Sequence, residues 1–376
     1  MLEHILMLIL GLVALTIGAE AMVRGAARLA LTLGISPLVV GLTIVAFGTS
    51  APEMAVSAGA ALNGSGDLAI GNVVGSNIAN VLLILGLSAL IVPLLVAEQI
   101  IRQEIPIMIG ASLLFVVLAM DGSISRGEGV LLLTLVVVYT VFLVIQSRRA
   151  SKATIEEFAD EMPGPGSRWD AHWGVQVLMV AAGLALLVLG ADWLVDAAVA
   201  VARSFGVSDL VIGLTVVAIG TSMPEIATSL VAAFRGERDI AVGNVVGSNI
   251  FNIFACLGVA GILADGGITV SAAARNFDLW VMLAVAFACL PIAITGREIA
   301  RWEGVLFLAY FVAYTAYLVL ATMQHDSLPA LSVVMLGYVL PLTVITLLVS
   351  FVHASIKTAP PRDDGESFRS APDSTP

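Results

Sequence analysis

A forty-residue segment occurs twice in this chain. The first copy, residues 41–80, reads GLTIVAFGTSAPEMAVSAGAALNGSGDLAIGNVVGSNIAN, and the second, residues 213–252, reads GLTVVAIGTSMPEIATSLVAAFRGERDIAVGNVVGSNIFN. The copies align without a gap and about two-thirds of the aligned positions are identical, the mark of an internally repeated architecture. Each copy places one glutamate, Glu53 or Glu225, inside a strongly apolar run. A carboxylate at the centre of a bilayer costs about 2.5–3.5 kcal/mol on insertion scales, so an intramembrane glutamate marks a functional site, and two at equivalent positions reinforce the assignment.

The surroundings of the repeat are those of a membrane protein. Hydrophobic residues make up 59% of the chain and charged residues 12%. Apolar runs at 5–30, 36–62, 67–93, 104–121, 127–146, 173–202, 208–233, 239–264, 277–295, 302–322 and 328–353 are long enough to cross a bilayer as helices. The first run lacks a small-residue cleavage site and reads as a retained helix. The stretch 148–172, with an acidic run and PGPG, reads as a polar cytoplasmic linker between halves 1–147 and 173–322. A further span is expected within 323–354, kinked at Pro341, followed by a disordered cytoplasmic tail at 355–376. Cys256 and Cys289 lie in apolar runs and read as packing residues. His4, His172, His325 and His353 sit at run ends and form no metal-binding pattern.

Basic residues set the orientation. With the N-terminus outside, the inner loops and tail hold Arg102, Arg148, Arg149, Lys152, Arg168, Arg235, Arg238, Arg297, Arg301, Lys357 and others, while the outer loops hold only Arg126, Arg203 and Arg275. An odd number of spans separates the two copies, so the second enters the membrane upside down. The similarity also reaches upstream, where GAEAMV at 18–23 matches GADWLV at 190–195. The expected fold is therefore an all-α polytopic membrane protein: two inverted five-helix repeats, about ten core helices, plus one C-terminal helix. Inverted repeats characterise secondary transporters, whose site lies near the midplane at the repeat interface.

The chemistry of the repeated residues points to a hard cation. Pro52 and Pro224 each follow a Gly-Thr-Ser triplet, should break their helices, and should free carbonyls near Ala46–Thr49 and their counterparts. Beside each break stand two hydroxyls and the glutamate. Ser76 and Asn80, and again Ser248 and Asn252, share one face of the following helix at i, i+4 and complete an oxygen shell. Such oxygens suit Ca²⁺ or Na⁺, and two carboxylates match the charge of one Ca²⁺. The plainer readings are that Gly71 and Gly75 form a packing GxxxG, that Asp67 and Asp239 cap helices, and that Glu20 and Asp192 are solvated.

GTSAPE and GTSMPE, each followed by GNVVGSN, resemble the alpha-1 and alpha-2 repeats of the calcium/cation antiporter superfamily, in particular its prokaryotic sodium/calcium exchangers. The resemblance covers both repeats and most of residues 1–322. It implies an antiporter exchanging Ca²⁺ for Na⁺ by alternating access, with Ca²⁺ on Glu53, Glu225, Thr49 and Thr221. It further implies Na⁺ sites drawn from Ser50, Ser222, Ser76, Ser248, Ala46, Ala218, Asn80 and Asn252. Asn252 stands where some members carry Asp, which argues against a third titrating carboxylate and against potassium dependence. Ca²⁺/H⁺ exchange is the alternative within the superfamily, and a cation channel the alternative outside it. No nucleophile–base or metal–water constellation points to an enzyme. No cofactor and no nucleic-acid partner are expected. The partners are the transported ions and the lipid of the inner membrane, and the expected state is a monomer.

Overall fold

A computed structural model describes residues 2–149, 172–205 and 218–346. Helix α1 (Leu2–Leu33) is followed by α2 (Pro37–Thr49) and α3 (Ala51–Leu62), then α4 (Gly66–Ile91), α5 (Ile100–Ala119) and α6 (Arg126–Arg149). The second half has α7 (Trp173–Ser204), a helical turn at Ala218–Gly220, α8 (Met223–Phe234), α9 (Arg238–Leu263), α10 (Ala274–Ile294) and α11 (Arg301–Thr322). Helix α12 (Leu328–Thr346) comes last. Among the described residues nine helices are long and apolar enough to span a membrane, and the pair α2–α3 makes a tenth. Helix α8 occupies the end of the remaining expected span; residues 206–217, the linker and the tail lie outside the described residues.

The proline break is where the sequence places it. Pro52 falls in the first turn of α3, where its missing amide costs nothing, and α2 and α3 meet at 44° around Ser50. Pro224 holds the same position in α8. A further irregularity was not legible: α4 and α9 each widen into a π turn, at Asn80–Leu85 and Asn252–Cys256, and α5 and α10 each begin with one, at Ile100–Glu104 and Ala274–Asp278. Such turns cluster at functional sites. Pro341 produces no separate segment; α12 runs on through a π turn at Met335–Val339 that precedes it.

The two halves interlock through matched contacts. Helices α1 and α7 are antiparallel along their length, and glycines one heptad apart bring the backbones together. A Cβ on Gly18 would stand 2.8 Å from the Gly183 carbonyl oxygen, and one on Gly11 2.9 Å from that of Gly190. Gly86 of α4 meets Gly304 of α11, and Gly129 of α6 meets Gly258 of α9, two contacts that the repeat exchanges. Two short antiparallel ladders tie loops across the halves: β1 (Leu94–Leu95) with β4 (Glu298–Ile299), and β2 (Ser123–Ile124) with β3 (Ile268–Thr269). Each joins loops that the inverted layout puts on one membrane face. The protein is thus an all-helical membrane protein of two inverted five-helix repeats with an added C-terminal helix.

Candidate cation-binding centre

The bend after α2 and the turn before α8 project the duplicated Thr-Ser-x-Pro-Glu segments toward each other. Helices α4 and α9 pass beside them and supply the duplicated asparagines and serines. Glu53 is fully enclosed and Glu225 is 1% exposed. The contacts cross between repeats. Ser50 Oγ donates to Glu225 Oε1 at 3.3 Å, and Ser222 Oγ donates to Glu53 Oε1 at 3.2 Å. Ser222 Oγ also lies 3.4 Å from Ser76 Oγ. The asparagines cross in the same way: Asn80 Nδ2 donates to Asn249 Oδ1 at 3.0 Å, and Asn252 Nδ2 to Asn77 Oδ1 at 3.1 Å. Neither repeat completes its polar contacts alone.

Four enclosed oxygens here have no hydrogen-bond partner: Glu53 Oε2, Glu225 Oε2, Asn80 Oδ1 and Ser248 Oγ. A buried oxygen left unpaired costs about 1–3 kcal/mol, more when charged, so an unpaired set in one region is a set of candidate ligands. Among the described residues no lysine or arginine is buried to offset the two carboxylates. Two enclosed carboxylates without a buried base need a compensating positive charge, a proton or a metal cation, and the carboxylate, amide and hydroxyl oxygens around them suit a hard ion.

The remaining expected residues are placed less uniformly. Thr49 Oγ1 donates to Asn244 Oδ1 at 3.1 Å, whereas Thr221 is only partly buried. The Ala46 carbonyl, expected to be freed, accepts the Ser50 amide at 3.0 Å and Thr49 Oγ1 at 3.4 Å, because α-helical pitch resumes after a π turn at Gly41–Val45 and holds from Ala46 to the bend. In the second half the Ser222 amide turns to Ile219 instead, at 3.1 Å, and bypasses Ala218. Asn252 Oδ1 is 3.6 Å from Cys256 Sγ; the counterpart of that cysteine is Ile84, and Asn80 Oδ1 stays unpaired. Cys256 and Cys289 are buried free thiols.

Three plainer expectations change. Asp67 lies one residue inside α4, past the cap position at Ser65, and accepts the Ser271 amide at 3.1 Å. Glu20 is not simply solvated: Arg235, at the end of α8, grips it with Nε at 2.8 Å from Oε2 and Nη2 on Oε1. Gly71 and Gly75, expected to pack closely, face open space where a Cβ would stand, whereas their counterparts Gly243 and Gly247 do bring backbones close, against Leu38 and Leu42. The sequence reading passed over the motif asparagines Asn72, Asn77, Asn244 and Asn249. Asn72 and Asn244 hold Ser57 and Ser229 at 2.9 and 3.0 Å, bracing each glutamate helix against the next helix. Their duplication was the available signal.

Residues 3–145 and 175–320 match the family model described as sodium/calcium exchanger protein. The chain is 35% identical over 345 residues to the sodium/calcium exchanger MaX1 of Methanosarcina acetivorans, covering 84% of this chain and 98% of that protein. It is 44% identical over 319 residues to the putative antiporter CaxA of Alkalimonas amylolytica, with 84% and 98% covered. A solved structure of the sodium-calcium exchanger NCX_Mj, soaked with zero Na⁺ and Ca²⁺, superposes with a TM-score of 0.72 at 31% identity, covering 84% of this chain and 98% of that one. With a family match across both repeats and relatives of this similarity over their full length, the chain belongs to the sodium/calcium exchanger family.

Proposed function

We propose that the protein is a secondary active antiporter that moves Ca²⁺ against Na⁺ across the bacterial inner membrane by alternating access. The observation that carries this reading is the crossed pair of enclosed glutamates, each held by the other repeat's serine, with unpaired oxygens and no buried lysine or arginine among the described residues. Glu53 and Glu225 neutralise one Ca²⁺, with Thr49 and Thr221 beside them. Ser50, Ser76, Ser222, Ser248, Asn80, Asn252 and the carbonyls of Ala46 and Ala218 serve Na⁺. Both ions need overlapping oxygens, so occupancy by one excludes the other, which is the condition for coupled exchange. Neutral Asn80 and Asn252 in place of further acids favour Na⁺ over H⁺ as the driving ion. The protein functions as a monomer. Its N-terminus lies outside and its C-terminus in the cytoplasm, an orientation that the distribution of basic residues supports.

The test is ⁴⁵Ca²⁺ uptake into proteoliposomes loaded with Na⁺, with K⁺, or with an imposed pH gradient. Uptake that requires internal Na⁺ is expected. Uptake that follows the pH gradient alone would move the protein to Ca²⁺/H⁺ exchange, and uptake with no counter-ion requirement would make it a channel.

A further inference from the structure

Hydroxyl groups inside membrane helices ordinarily bond back to the carbonyl one turn earlier. Here Thr43 Oγ1 donates to the Val39 carbonyl, Ser112 Oγ to that of Met108 at 2.9 Å, and Thr140 Oγ1 to that of Val136 at 2.8 Å. Ser57, Ser76 and Ser229 are bonded to other side chains. Among the buried hydroxyl residues described, only Ser88, Thr228 and Ser248 lack a partner. Ser248 belongs to the centre already described. Ser88 and Thr228 do not, and the exchange reading makes no use of them.

Their positions are related. Thr228 lies one turn beyond Glu225 on the same face of α8, toward the Arg235 end. Ser88 lies two turns beyond Asn80 on α4, toward the β1 end. The inner half of α4 packs against α8. In the inverted layout these two ends lie on the same face of the membrane, the one carrying the β1–β4 ladder. Both hydroxyls therefore sit between the centre and that face, on the two helices that hold Glu225 and Asn80. The repeat does not copy them: the residue equivalent to Thr228 is Val56, and that equivalent to Ser88 is Ala260. Exposure differs as well, since Thr228 is fully enclosed while Val56 is 36% exposed. Two enclosed, unpaired oxygens thus mark one half of the passage, and apolar side chains stand at the matching points of the other.

We infer that Thr228 and Ser88 form a transient station for the transported cation between the centre and the cytoplasmic face, replacing part of its water shell as it passes. The ligand class is a hard monovalent or divalent cation. The inference rests on the proposed exchange activity and deepens it, because among the described residues the station lies in the cytoplasmic half of the passage alone.

The experiment uses the full chain, with T228V, S88A and the double substitution, which copy the residues of the other repeat, and with T228S, which keeps the hydroxyl. Equilibrium ⁴⁵Ca²⁺ binding in detergent reads the centre, and ⁴⁵Ca²⁺ exchange in proteoliposomes reads passage. Binding by the substituted proteins is expected within about two-fold of the parent, while exchange by the double substitution falls about ten-fold, the effect of one hydrogen-bond-sized contact on a barrier. T228S is expected to restore the rate of T228V. Unchanged exchange in the double substitution would overturn the station, as would a fall in binding equal to the fall in rate, or a T228S protein as slow as T228V. Failure of the parent protein to bind Ca²⁺ would instead refute the proposed function on which the station depends.

Discussion

Glu53 and Glu225 are equivalent in sequence, yet each depends on the opposite repeat for its hydrogen bond. Removing one negative charge should therefore act on the whole centre. E53Q and E225Q are each expected to weaken Ca²⁺ binding by at least about 100-fold, the effect of breaking a buried charge pair at roughly 3 kcal/mol. Equilibrium ⁴⁵Ca²⁺ binding checks this, and near-parental affinity in either protein would remove that glutamate from the site. S50A and S222A each remove one hydrogen bond to a carboxylate, and about 1–2 kcal/mol, or five- to thirty-fold, is the expected loss. At this scale the sequence was informative about identity but not about partners. The duplicated motif pointed to both glutamates, the serines and the asparagines. It could not show that Ser50 faces Glu225 rather than Glu53, since that pairing exists only once the repeats interlock. Nor could it distinguish the unpaired Asn80 oxygen from the Asn252 oxygen beside Cys256, a difference set by a single substitution outside the motif.

The elements divide into two groups, those that border the candidate centre and those that do not. Helices α2, α3, α4, α8 and α9 border it, whereas α1 and α7 bring no residue to it and pack chiefly on each other. Glycines on both helices let the backbones approach closely along the seam, which suits a pair that moves as one body over the core. Adding a methyl at Gly18 or Gly183 forces a Cβ to within 2.8 or 2.7 Å of a backbone oxygen, where nothing can rotate away. G18A and G183A are expected to cost about 1–3 kcal/mol by overpacking. A lower thermal unfolding midpoint, with equilibrium Ca²⁺ binding within two-fold of the parent, is the expected pattern. Loss of Ca²⁺ binding in proportion to stability would show instead that this pair shapes the centre. Helix α1 packs on α8 as well, and a two-pronged hold of Arg235 on Glu20 reinforces that contact. The repeat offers no counterpart, because Asn63 stands where Arg235 would be.

At the scale of the molecule, the inverted plan was legible because parity is a property of the chain: an odd number of spans between the two copies forces the second to enter reversed. The cross-ladders β1–β4 and β2–β3, the π turns and the glycine contacts were not legible, since two-residue strands and single widened turns leave no periodic signal. Helix α12 lies outside this symmetric plan. None of its residues is buried, and Tyr310 of α11 anchors it through a hydrogen bond to Thr343 Oγ1 at 2.7 Å. The family match ends at residue 320, within α11, and both repeats are complete by then. A helix that covers no core surface and supplies no ligand should be dispensable for the chemistry. A chain ending after Thr322 is therefore expected to insert, to bind Ca²⁺ within about two-fold of the full chain, and to unfold at nearly the same temperature, because the loss is about one part-buried hydrogen bond, roughly 1 kcal/mol. Gel filtration, ⁴⁵Ca²⁺ binding and thermal unfolding of the truncated protein in detergent check this. A truncated chain that aggregates, or that loses Ca²⁺ binding while remaining monodisperse, would show that α12 supports the ten-helix core through contacts with lipid or with another copy, and would assign the added helix a part in exchange.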